Sequence, residues 1–116
     1  MNGAELIAAE RERQISDEGW SADHDDDHVN GELAEAACCY ATDPITRAAI
    51  MLTKDGAANV NQPGSGYDAR HWPAEWSGCW KPSPNDRIRE LVKAGALIAA
   101  EIDRLQRLNT RLGDEA

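Results

Sequence analysis

Apolar residues along this chain recur at steps of three and four rather than two, so the pattern predicts helices, with no sheet beyond a short hairpin in the 53–70 stretch. The longest periodic segment, Ser83 to Leu112, is expected to be the central helix. Ile88, Leu91, Gly95, Ile98, Ile102, Leu105 and Leu112 form its seam, and Val92, Ala96 and Ala99 widen that seam into a face for other helices to cover. Ser83 suits the cap, Pro84 the first turn and Asp86 the capping-box position, while Gly113 is expected to stop the helix. Asn109 interrupts the seam. Gly95 costs roughly 1 kcal/mol against alanine in mid-helix, so close approach of another backbone is expected there.

The same periodicity predicts a first helix over 4–16, with Leu6, Ile7, Ala8 and Ile15 inside and Gly19 as its end. Trp20 to Asn30 is too acidic for a core element and is expected to cross the surface as a loop. Asn30 or Gly31 then caps a second helix whose Leu33, Ala36, Ala37, Tyr40 and Ala41 face inward. Asp43 and Pro44 open a short third helix with Ile45, Ala48, Ala49 and Leu52 inside, stopped by Gly56. Residues 53–70 lack any period and are expected to form a long flexible loop or insertion. Across 71–82, Pro73 and Gly78 favour a short helical turn followed by extended chain. The expected architecture is all-α: a small helical domain over residues 1–116 with one long C-terminal helix. Leu97 and Leu108 lie away from the main seam, so at least a dimer is expected.

A chain of 116 residues with this core is expected to be a single domain. No stretch reads as a signal peptide, and the longest apolar run, Ala94 to Ala100, falls far short of the about 20 residues a membrane span needs. A soluble cytoplasmic protein is expected. Cys38, Cys39 and Cys79 lack a zinc or disulfide pattern and are expected to be buried free thiols. The net charge of −9 is uneven: residues 1–35 hold eleven acids against Arg11 and Arg13, while 84–112 hold six bases against four acids. The two ends attract, and such a balance argues against direct nucleic-acid binding, which needs a basic surface.

Three of the four tryptophans, Trp72, Trp76 and Trp80, are spaced by four in a chain without phenylalanine. They can close a small alanine-lined core. Alternatively Trp76 and Trp80, with Lys81, can stack on a planar ligand such as a nucleobase. His24 and His28 enclose Asp25, Asp26 and Asp27, a density of imidazole and carboxylate that can hold a divalent metal or simply decorate the start of the next helix. Glu32 and Glu35 share one helix face, where two carboxylates can grip magnesium or serve as ordinary helix surface. The metal candidates are therefore His24, Asp25, His28, Glu32 and Glu35.

The runs ERERQISDEGW, HDDDH, GELAEAACCYA, WP-x-x-W, WKP and RIRELVKAGALIAAEIDRL resemble a family of small bacteriophage and prophage proteins, over most of the chain outside 53–70. More distantly, the order of an E-R-x-R-Q helix, an E-x-x-E helix and a late R-x-x-L-V-K-A-x-A-L helix is similar to MazG-type nucleoside triphosphate pyrophosphohydrolases. That resemblance implies an all-α, oligomeric, magnesium-dependent protein whose metal motif carries over to Glu32 and Glu35 alone. The second metal pair of that family, E-x-x-D, falls on Glu90 and Lys93, and a lysine there repels a metal yet can hold a phosphate. The expectation is a phage-type protein that binds a nucleotide-like phosphorylated ligand through Trp76, Trp80, Lys81, Arg87 and Lys93 without turnover, sequestering a host defence signal. Two alternatives stand beside it: a magnesium-dependent pyrophosphohydrolase, with Asp25, Asp27 or Glu90 assisting the glutamate pair, and an acidic protein inhibitor bound to a host defence nuclease.

Overall fold

The structure, a computed structural model, describes residues 1–50, 60, 61, 72, 73, 76 and 79–115. Among the described residues five helices follow one another: α1 (Gly3–Glu18), α2 (Ala22–Asp26), α3 (Glu32–Ala41), α4 (Pro44–Ile50) and α5 (Arg87–Glu115). Among the described residues there is no strand. The all-α architecture with a long C-terminal helix therefore holds, and none of the described helices is long and apolar enough to cross a membrane.

Local chemistry explains most of the ends. Asn2 and Glu5 form a reciprocal capping box on α1, and Gly19 closes that helix in the left-handed conformation. Gly31, also left-handed at φ 82°, opens α3, and the Asp43 carboxylate accepts from the Ile45 and Thr46 amides at the start of α4. The expected start of α5 shifts by several residues. Ser83 and Pro84 sit in a preceding turn, and Asp86 rather than Ser83 accepts from the Arg89 amide. Gly113 does not stop α5, which runs through it to Glu115 with the glycine exposed.

The Trp20–Asn30 stretch is not a surface loop throughout. Ser21 caps the five-residue α2, which packs on α5 and buries Asp25 completely. Arg11 makes that burial possible, since its Nη2 donates to Asp25 Oδ2 at 2.9 Å. α1 also departs from its apolar pattern. Ile15 and Ala8 are exposed, and the residues buried against α5 are Glu10 and Gln14, beside half-buried Leu6 and Ile7.

The core forms where α3 meets α5. Leu33, Ala36, Ala37, Cys39 and Tyr40 pack with Ala94, Leu97 and Ala100, and Trp72, Trp80 and Val60 close the end. Ala41 is exposed and Cys39 takes an inward position instead. Of the three cysteines expected to be buried, Cys39 is, while Cys38 and Cys79 are exposed. Val60, within the stretch expected to be a flexible loop, is fully buried, and the Asn61 amide donates to Pro44 O. The rest of 53–70, and the expectations at Leu52 and Gly56, lie outside the described residues.

α4 follows its apolar pattern at one position only among those described: Ala48 packs against the core, but Ile45 and Ala49 are exposed while Arg47 is fully buried. Arg47 Nη2 donates to Glu90 Oε2 at 2.6 Å, Nη1 to the Cys39 and Thr42 carbonyls, and Nε to Asn61 Oδ1. The Trp80 ring lies 5.2 Å from the guanidinium. A guanidinium with this many partners can be buried without leaving a donor stranded.

α5 shows the largest inversion. Its buried side carries Glu90, Val92, Ala94, Ala96, Leu97, Ala100 and Arg104, whereas Ile88, Leu91, Ile98, Ile102, Leu105 and Leu112 of the expected seam face outward. At Gly95 the close neighbour is a side chain rather than a backbone: a Cβ there would meet Ile7 Cδ1 at 2.5 Å and Cγ1 at 2.7 Å.

Candidate functional site

Two cavities adjoin where α1, α3 and α5 come together with Trp72, Trp76, Cys79 and Lys81. The first, of about 120 Å³, is lined by Glu10, Arg13, Gln14, Glu18, Lys81 and Lys93. The second, of about 140 Å³, is lined by Trp20, His24, Ala36, Tyr40, Trp72 and Trp76. Trp20, Tyr40, Cys79 and Leu97 border both.

The basic cavity depends on Lys93, one turn beyond Glu90 on α5. Its Nζ donates to the Lys81 carbonyl at 2.9 Å and lies 5.3 Å from the Tyr40 ring centroid. Burial holds its pKa below the usual lysine range, and the nearby Arg89 pushes in the same direction. A bound anion would oppose both effects. Tyr40 is held by the Lys81 amide, which donates to its Oη at 3.2 Å, and burial raises the phenol to about 12. On the opposite wall burial raises the Glu10 pKa, but hydrogen bonds from Arg13 and Arg89 outweigh it and leave the carboxyl below its ordinary range. Gln14 donates through Nε2 to Glu10 Oε2 at 3.4 Å, which fixes the amide orientation. Its Oε1 is buried and has no hydrogen-bond partner among the described residues. An unpaired buried acceptor costs about 1–3 kcal/mol, so a donor entering this cavity would be favoured.

The aromatic cavity has a continuous edge. Trp20 stacks parallel on His24 at 5.7 Å, His24 meets His28 edge-on at 4.8 Å, and His28 meets Trp76 edge-on at 4.8 Å. Carboxylates orient both imidazoles: His24 Nδ1 lies 3.0 Å from Asp25 Oδ1, and His28 Nδ1 lies 3.2 Å from Glu32 Oε2. Trp76 sits on a turn in which its amide donates to Pro73 O, and its own carbonyl accepts from Trp72 Nε1 at 2.8 Å.

Of the expected ligand residues, Trp76, Lys81 and Lys93 line these cavities. Trp80 stands behind them in the core, with Nε1 donating to Val60 O at 2.7 Å. Arg87 also stands apart, donating to the Tyr40, Ala41 and Thr42 carbonyls and so capping the C-terminal end of α3. Of the metal candidates, His24, Asp25, His28 and Glu32 form neighbouring His–carboxylate pairs, while Glu35 is exposed. Among the described residues no three His, Cys, Asp or Glu side chains converge as ligands of one ion. Glu90 is bound by Arg47, Arg87 and the Ser83 amide.

Glu10, Arg13, Gln14, Trp20 and Tyr40 were not expected at a site. A signal for the first three was present, because they fall at helical spacing on a helix with a thin apolar side, which places a polar stripe against whatever that helix packs on. No protein-family model, curated protein or solved structure matches this chain.

Proposed function

We propose that this protein is a binding module for a small planar anionic ligand of nucleotide type, held without turnover. One observation carries the proposal: an aromatic cavity and a lysine-lined cavity share the wall formed by Trp20, Tyr40, Cys79 and Leu97. A base would stack among Trp20, Tyr40 and Trp76, a phosphate would approach Lys81 and Lys93, and a sugar hydroxyl would donate to Gln14 Oε1. Retention rather than hydrolysis is favoured because Glu32, one of the two glutamates matched to the MazG motif, already accepts from His28 and the Asn30 amide, and Glu90 accepts from Arg47 and Arg87, while the other motif glutamate, Glu35, is exposed. In a phage protein, such a module would sequester a nucleotide signal of host defence.

Calorimetric titration with nucleotide mono-, di- and triphosphates and cyclic nucleotides, with and without magnesium, tests this. Binding is expected without magnesium and without release of pyrophosphate. Lys93→Glu should abolish binding with the helical spectrum unchanged, and Trp76→Ala should weaken it by about 1–3 kcal/mol. Glu32→Gln should matter little, whereas a hydrolase would lose magnesium and activity together. Because the Lys93 pKa is lowered, affinity should fall as pH rises through that lowered value and the ammonium is lost, and binding at and just above that value should take up protons, since the anion raises the pKa of the bound form. A wild-type protein that binds none of these compounds is not a nucleotide-binding module.

A further inference from the structure

The outward side of α5 is ordered in a way that ordinary surface is not. Ile88, Gly95, Ile102 and Asn109 are spaced by seven, and so are Leu91, Ile98, Leu105 and Leu112. Together they make a continuous heptad seam over about 36 Å of helix. The six large apolar members are 41–67% exposed. Sustained heptads of this length specify a coiled coil, and a partner helix must carry the same 3.5-residue repeat.

We infer that a second copy of this chain docks here, α5 against α5, as a parallel two-stranded coiled coil. α5 is itself a helix with the matching repeat, and a two-fold axis makes one such seam self-complementary. Leu97, Ala100 and Arg104 bury α5 against its own chain on the opposite side of the helix. α1 flanks the N-terminal half of the seam, where Ile7 fills the space above Gly95 and Leu6 and Ala9 line a groove with Ile88. The pairing is therefore closest over the C-terminal half, where Ile98, Ile102, Leu105 and Leu112 stay exposed in the folded chain.

Charge also favours self-association on this face. A chain of net charge −9 repels its own copy across most surfaces. The seam carries no charged residue, and Glu101 at its margin is paired with Arg104 of the same helix. Asn109 chooses the direction. In a parallel pair it meets its own counterpart and the two amides can hydrogen-bond, whereas antiparallel pairing sets it against leucine.

Sedimentation at tens of micromolar, with circular dichroism alongside, tests the inference. Wild-type protein should sediment at twice the chain mass, and the exposed double change Ile98→Glu with Ile102→Glu should give a monomer with an unaltered helical spectrum. A monomeric wild type, or a dimer that survives the double change, overturns it. For direction, mild oxidation of Asn109→Cys should yield a covalent dimer that wild type, with its own cysteines, does not form. A dimer of that variant that fails to cross-link overturns the parallel arrangement.

Discussion

α5 is gripped on two sides by unlike means. Toward α3 and α4 the contact is apolar and close, Leu33, Ala36, Ala37 and Tyr40 against Ala94, Leu97 and Ala100, with one ion pair, Arg47–Glu90, sealed at 1% and 0% side-chain exposure. Toward α1 and α2 ion pairs take a larger part, Glu10 with Arg89 and Asp26 with Arg107, while Arg11 with Asp25 ties α1 to α2. The alanine-rich side supplies stability, since small side chains let two helices approach and exclude water. The ionic side contributes less per contact and is sensitive to salt and pH. The candidate cavities lie between the two, walled by the rigid side at Tyr40 and Leu97 and by the polar side at Glu10, Gln14 and Glu18. A ligand that orders the second wall against the first would add to stability by its own binding.

The sharpest way to break the rigid side is Arg47→Met. It leaves Glu90 buried with Arg87 and the Ser83 amide as its remaining partners, and it removes a donor from the Cys39 and Thr42 carbonyls. Denaturant unfolding should show a loss of about 3–5 kcal/mol. A loss under 1 kcal/mol would mean that this pair does not hold α4 on the core.

Gly95→Ala probes the other side. The new methyl would collide with Ile7, at an overpacking cost of about 1–3 kcal/mol, against about 1 kcal/mol gained in helix propensity. Combining it with Ile7→Ala should recover the propensity gain, and a double-mutant cycle showing no coupling would place α1 elsewhere.

The smallest effect is set by pH. Glu10 and Asp26 have folded-state pKa values below their ordinary 4.5 and 3.8, so each adds stability that is present above those values and lost as pH falls through the lowered ones. Arg107 hydrogen-bonding is the chief cause at Asp26. Segment-resolved hydrogen exchange between pH 7 and 3 should show α1 and α2 losing protection before α3. Simultaneous loss in all three would mean that the two sides do not differ in kind. Raising salt at neutral pH should shift protection in the same order, by less than 1 kcal/mol per pair.

Helix existence and most helix ends belong to the local sequence. Asn2 with Glu5, Gly19, Gly31 and Asp43 act through hydrogen bonds and left-handed backbone within a turn of themselves, so neighbouring residues suffice to foresee them. Part of the candidate site was visible in the same way, at Trp76, Lys81 and Lys93. Which side of each helix turns inward was decided only by the tertiary structure. α5 carries two sides of helical period, one of isoleucine and leucine and one of alanine with Leu97. The alanine side fits the small-residue face of α3 closely enough to become the core, which leaves the bulkier seam outside. Buried charge follows the same rule. Arg47 and Glu90 are 43 residues apart, and each is an ordinary surface residue until the fold brings the other to it.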